Sequence, residues 1–368
     1  MLNRALTILS LLCLPALAQA RDGYLGDDAC RSCHATQVDS FHQTAHYLTS
    51  SLPNEHSILG NFTPGDNLLK TANPTLVFRM EAKQGSFFQT ANSRSERFAV
   101  VVGSGEKGQT YLFWDGDQLF ELPVSYWKDL GWVNSPGYRD GVADFERPII
   151  PRCLECHATS FESLAPPSNR YNTTGYGLGI QCEKCHGPGR EHVQREQAKP
   201  AADPAILNPS HFSRDRQMDL CAWCHGGHGQ PLQASFSYLP GSPLEKFINL
   251  PKPDLTAPLD VHGNQVDMLK QSRCFLESSM TCLTCHNVHV AQHNLAEFSQ
   301  RCLTCHNPDS ATFSKPSHPV SNNCIDCHMP RQETNLIVFD FAGKRVRPQM
   351  RNHWIKVYSD PPFQQRYP

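Results

Sequence analysis

The chain has 368 residues, with 33 basic and 35 acidic side chains, a formal net charge of −2 and 39% hydrophobic residues. That length fits one large or two to three ordinary domains. The near-neutral balance excludes an electrostatic face for nucleic acid, and beyond the first twenty residues no stretch approaches the ~20 apolar residues of a membrane span.

In chain order, residues 1–20, MLNRALTILSLLCLPALAQA, have the form of a secretory signal: Arg4, an apolar core from Ala5 to Leu17, and Ala18-Gln19-Ala20 as cleavage site. Leu12 before Cys13 is too bulky for the usual lipoprotein cleavage site, so a periplasmic mature chain starting at Arg21 is expected. Residues 21–60 form an N-terminal segment with one CRSCH motif and the amphipathic stretch QVDSFHQTAHYL. Residues 61–150 differ in character. The runs TLVFRMEA, SFFQTA, RFAVVV, TYLFW and QLFELPVSYW predict a small antiparallel sheet at about 72–128, with Asp115-Gly116 as a hairpin turn. Within it, GSGEKG (103–108) matches G-x-G-x-x-G but leads into the strand-like QTYLFW, not a helix, and reads as a hairpin loop. In residues 151–368 short helices alternate with Pro/Gly-rich loops, and a strand-like NLIVFDF precedes a basic group, Lys344, Arg345, Arg347 and Arg351.

Sixteen cysteines in an exported chain would ordinarily imply disulfides. Their spacing implies something else. Apart from Cys13 and Cys274, they form seven C-x-x-C pairs, each followed at once by histidine. These are CRSCH (Cys30, Cys33, His34), CLECH (Cys153, Cys156, His157), CEKCH (Cys182, Cys185, His186), CAWCH (Cys221, Cys224, His225), CLTCH (Cys282, Cys285, His286), CLTCH (Cys302, Cys305, His306) and CIDCH (Cys324, Cys327, His328). Zinc or redox pairs have no reason to place histidine next every time, and chance would do so with odds on the order of 10⁻⁹. The pattern is that of c-type haem attachment: two thiols on one helical turn meet the two vinyl groups of a porphyrin, and the next imidazole swings under the iron. Seven covalent haem c groups are expected, with about 50 residues for each, so porphyrins would supply much of the core.

A six-coordinate iron also needs a ligand on its far face. Of the eleven remaining histidines, His46, His192, His289, His318, His353 and His262 are the favoured distal ligands; His228, His42 and His211 contend for a seventh place. His289 follows His286 too closely to reach the far face of the same porphyrin, so it would serve a neighbouring haem. His42 shares the helix face of His46 and competes with it. His293 is read as structural and Cys274 as a buried inert thiol. An iron without a distal histidine would be open, with the glycine-flanked Cys221–His225 site as a weak candidate.

The stretches CRSCHATQVDSFHQTAH, GIQCEKCHGPGREHV, MTCLTCHNVH and NNCIDCHMP resemble the multihaem c-type cytochromes that include cytochrome c-554, hydroxylamine oxidoreductase and pentahaem nitrite reductase. The resemblance covers the first motif and most of 150–330, and the sheet lies outside it. It implies a mainly α, loop-rich multihaem fold packed around seven haems, with the small antiparallel sheet as insertion. It also implies periplasmic electron transfer. The proximal lysine of pentahaem nitrite reductase has no counterpart, and the tyrosine cross-link of hydroxylamine oxidoreductase cannot be placed. Two functions remain: an electron relay through mostly bis-histidine haems, or an oxidoreductase acting on a small nitrogen or sulfur compound at one open iron. Assembly through the sheet is a third. With two propionates on each ferric haem the holoprotein would carry roughly −10, so a redox partner with a basic docking face is expected.

Overall fold

A computed structural model of the chain describes residues 23–198, 203–251, 259–307 and 323–358. The signal segment and His318 therefore lie outside the described residues.

Period-two alternation builds the haem-free region. The strands are β1 (Ser50–Ser51), β2 (Leu68–Lys70), β3 (Val77–Lys83), β4 (Ser86–Ala91), β5 (Arg94–Arg97), β6 (Val100–Val102), β7 (Gly108–Asp115), β8 (Gln118–Glu121), β9 (Val124–Trp127) and β10 (Gly131–Asn134). In β4 every second side chain is buried, and all pairings are antiparallel. One sheet has four strands in the order β2-β3-β4-β5. The other has six, β1-β6-β7-β9-β10, with β8 on β7. Phe78, Met80 and Phe87 of the first sheet share one core with Tyr111, Phe113 and Trp132 of the second. Each such side chain contributes about 1.5–3 kcal/mol on burial.

Tight turns set the registers. Gln84 and Gly85 both take positive φ between β3 and β4, as a two-residue hairpin requires. Between β7 and β8 the two central residues are Gly116-Asp117, one position later than the sequence placed them, because Asp115 pairs with Gln118. The 103–108 stretch joins β6 to antiparallel β7, and no helix starts there.

The expected mainly α fold is corrected by the structure, which is 27% helical and 23% strand. The helices are α1 (Asp27–Phe41), α2 (Pro151–His157), α3 (Cys182–His186), α4 (Arg190–Ala198), α5 (Arg214–His225), α6 (Gln265–Lys270), α7 (Arg273–Leu276), α8 (Leu295–Leu303) and α9 (Ile325–His328). Most are one or two turns, the length that a C-x-x-C-H motif needs and no more. Short strand pairs add β-structure outside the insertion, among them Arg331–Glu333 with Gln349–Arg351 and Phe339–Phe341 with Lys344–Val346. The helical expectation failed because covalent attachment fixes a single turn and does not require long amphipathic helices.

Candidate haem-binding cavity

Each motif forms a helical turn. α1 carries the first, and its backbone leaves helical geometry at His34 (φ −118°, ψ 37°). α2 and α3 end on His157 and His186, and α5, capped by Ser213, ends on His225. In the last three motifs the histidine N–H donates to the carbonyl of the first cysteine at 3.0, 2.8 and 3.0 Å. Residues i and i+3 of a helical turn share a face, so each thiol pair points the same way.

All twenty-one motif cysteines and histidines line one cavity of about 3580 Å³. An ordinary ligand pocket holds roughly 300–1,000 Å³, so this cavity has room for several large groups. Its wall is predominantly apolar in the side chains it presents, including Val38, Phe41, Ile180, Leu220 and Phe298.

Four histidine pairs face each other across this space without touching. His34 and His192 have ring centroids 6.3 Å apart at 22°, His186 and His289 6.1 Å at 23°, and His286 and His353 6.4 Å at 25°. His46 and His225 are 6.2 Å apart but nearly perpendicular, at 74°. Two collinear metal–nitrogen bonds of about 2 Å, with each centroid about 1 Å behind its nitrogen, give a separation near 6 Å. The gaps are therefore the width of one coordinated iron.

The outer nitrogens are held in the matching sense. His186 Nδ1 is 2.8 Å from the Leu207 carbonyl, His192 Nδ1 2.6 Å from Pro204, His328 Nδ1 2.9 Å from Lys356 and His353 Nδ1 3.2 Å from Arg351. Donating Nδ1–H to a carbonyl leaves Nε2 with its lone pair, as a metal-bound imidazole needs. His157 Nδ1 meets Thr49 Oγ1 at 3.1 Å. Burial also favours the neutral ring: it pulls His46, His157 and His353 down to about 4, helped by His225, His262 and His286 respectively. The residues thus fit a porphyrin iron between imidazoles.

The other candidates are placed differently. His42 does not line the cavity; it stacks on Tyr47 at 3.8 Å and meets Asp27 Oδ2 at 3.1 Å. α1 ends at Phe41, so the shared helix face expected for His42 and His46 does not form. His228 and His262 line the cavity, and the buried Nδ1 of His262 has no hydrogen-bond partner among the described residues. His211 ends a one-turn helix whose Pro209 and Ser210 line the cavity, and is not itself on the wall. His293 is 3.9 Å from Glu106, where the 103–108 loop adds Ser104, Glu106 and Lys107 to the cavity rim. Cys274 is partly buried on the same wall, and burial raises its thiol pKa. Of the basic tail, Arg351 binds Asp326 and the Ile325 and Met329 carbonyls around the seventh motif.

Neighbouring motifs are tied together by residues that the sequence reading did not single out. Asp27 accepts the Cys182 N–H at 2.9 Å, joining the first and third motifs. Glu183, buried between the cysteines of the third, accepts N–H bonds from Leu25, Gly26 and Gly189. Arg152 donates to the Trp223 carbonyl at 2.6 Å, joining second and fourth. Ser299 Oγ accepts the Cys324 N–H at 3.0 Å, joining α8 to the seventh. Lys184 is buried against Trp223 and Phe236, and burial lowers its pKa to about 8. Glu183, Lys184 and Trp223 carried a signal, a charged or bulky residue between the two cysteines of a motif, whereas Asp27, Arg152 and Ser299 lie outside the pairs.

The family model of cytochrome c554 and c-prime matches residues 139–187, which contain the second and third motifs. The structure is similar to that of the outer cell wall cytochrome OcwA, with a TM-score of 0.57 and 16% identity, over 91% of this chain and 80% of that one. No curated protein matches the sequence. These matches support a multihaem c-type cytochrome. For such a cytochrome, covalently bound haem c and an electron-transfer role are supported. Among the described residues no helix is long and apolar enough to cross a membrane.

Proposed function

We propose that the chain is an exported heptahaem electron relay. The observation that carries this reading is the convergence of all seven motifs on one cavity spanned by iron-width histidine pairs. In it the fourteen paired cysteines hold porphyrins as thioethers, and the seven motif histidines are the proximal ligands. His192, His46, His289 and His353 are the distal ligands opposite His34, His225, His186 and His286. His262 and His318 are proposed for two of the remaining irons. Haem supplies reversible one-electron chemistry when bound. The chain's own residues hold imidazoles neutral, exclude water from the cavity and keep neighbouring motifs in contact. His289 then serves the third site while its motif neighbour His286 serves the fifth, so one short segment couples two haems. A periplasmic location and a redox partner with a basic face belong to the same proposal.

His46 opposite His225 argues against the Cys221–His225 site as the open iron of an oxidoreductase. The test is haem stoichiometry: intact mass and pyridine haemochrome assay of the matured protein. Seven haems per chain is the expected result. Fewer would remove the relay as described.

A further inference from the structure

Lys184 lies between the cysteines of the third motif, 6% exposed, and its Nζ makes no hydrogen bond among the described residues. The ammonium stands 3.9 Å from the Trp223 ring and 4.8 Å from that of Phe236. Aromatic faces offset part of the cost of removing a cation from water, though not the whole of it. Trp223 immediately precedes Cys224, and Lys184 lies near Cys224, Cys156 and Cys185, with Glu155 as the ionisable partner of its charge. Lys184 therefore sits where the second, third and fourth motifs converge on the cavity. Glu155 is already bonded to Arg152 at 3.3 Å and to the Phe236 N–H at 2.6 Å. Two cations thus face one carboxylate at this junction.

The junction of the first and third motifs has the opposite balance. Asp27 and Glu183 are both buried there, 7% and 2% exposed; Asp27 meets His42, which lies 3.4 Å from the partly exposed Arg31 guanidinium, and Glu183 accepts backbone N–H bonds from Leu25, Gly26 and Gly189. Adding an electron lowers the charge of a haem by one, so a nearby buried cation stabilises the reduced form and a buried carboxylate opposes it.

We propose that Lys184 is a potential-setting residue that raises the reduction potentials of the haems at the second and fourth motifs. These haems then collect electrons ahead of the haem at the first motif. The inference rests on the axial pairs proposed above, and the test is arranged to separate the two. A perpendicular pair of imidazoles leaves the two iron dπ orbitals nearly degenerate, which gives a strongly anisotropic low-spin resonance; near-parallel pairs give rhombic ones. The 74° angle between His46 and His225 therefore marks the fourth haem in the spectrum.

The experiment is a potentiometric titration of the holoprotein, followed by low-temperature electron paramagnetic resonance. In the unaltered protein the anisotropic signal should be lost ahead of the rhombic ones as the potential is lowered. Lys184→Gln should move that loss to lower potential, while Lys184→Arg should keep it in place. An unmoved midpoint in a fully haem-loaded Lys184→Gln protein, or loss of the anisotropic signal last in the unaltered protein, would overturn the inference. If Lys184→Gln does not mature, the order in the unaltered protein decides. Absence of any anisotropic signal from the ferric protein would overturn the axial reading and this inference with it.

Discussion

Removing the Glu183 carboxylate should loosen the N-terminal haem segment from the rest of the molecule. Glu183 is 2% exposed and accepts backbone N–H bonds at 2.9 Å from Leu25 and 2.8 Å from both Gly26 and Gly189. Bonds to a charged acceptor contribute about 1.5–3 kcal/mol each, and water can reach the partly exposed Leu25 and Gly26, so Glu183→Ala should cost about 3–5 kcal/mol. Glu183→Gln keeps the shape and one acceptor oxygen, and should cost about half as much. Urea unfolding of the holoprotein, followed by Soret circular dichroism, reads the loss; limited proteolysis should cut first within residues 23–60. An alanine variant within about 1 kcal/mol of the unaltered protein, a single ordinary hydrogen bond, would refute the reasoning.

Other consequences are equally direct. His192→Ala and His289→Ala should each turn about one seventh of the ferric haem high-spin, and added imidazole should restore it, since the ring is what fills the distal position. In the sheet region, Arg147 meets the buried Glu121 at 2.9 Å, and Arg147→Met should cost about 1.5–3 kcal/mol at neutral pH. Burial raises the Glu121 pKa, so the folded state holds that proton more tightly than the unfolded one, and the variant's stability should fall as pH rises from the ordinary carboxylate range through the raised folded value. Gly60→Ala would set a Cβ 2.2 Å from the Trp132 ring, which is pinned by its Nε1–H bond to the Asn61 carbonyl at 2.9 Å. A cost of about 1–3 kcal/mol in thermal unfolding, with an unchanged Soret spectrum, is expected.

The seven C-x-x-C-H turns were legible in the sequence because residue type and spacing repeat together at each of them. The sheet was legible because its strands are short aromatic and β-branched runs between turn signals, with β4 alternating strictly and β7 buried on both faces at Tyr111-Leu112-Phe113, although the strands run on to Asn134 and include Ser50–Ser51. The balance of helix and strand was not, since residues such as Gln349–Arg351 become a strand only through a distant partner. Facing histidines were hard to pair for the same reason: His46 and His225 meet through tertiary packing, and no spacing rule links them. Glu183 and Lys184 stood in plain view inside CEKCH, yet their burial depends on Leu25, Trp223 and Phe236 from other segments.

The central claim is that histidines face one another across iron-width gaps in a single haem cavity. Low-temperature electron paramagnetic resonance of the fully ferric protein tests it most directly. The account predicts low-spin signals that include rhombic components from the three near-parallel pairs and one strongly anisotropic component from His46 and His225. A spectrum dominated by high-spin haem, or one lacking the anisotropic component, would contradict it.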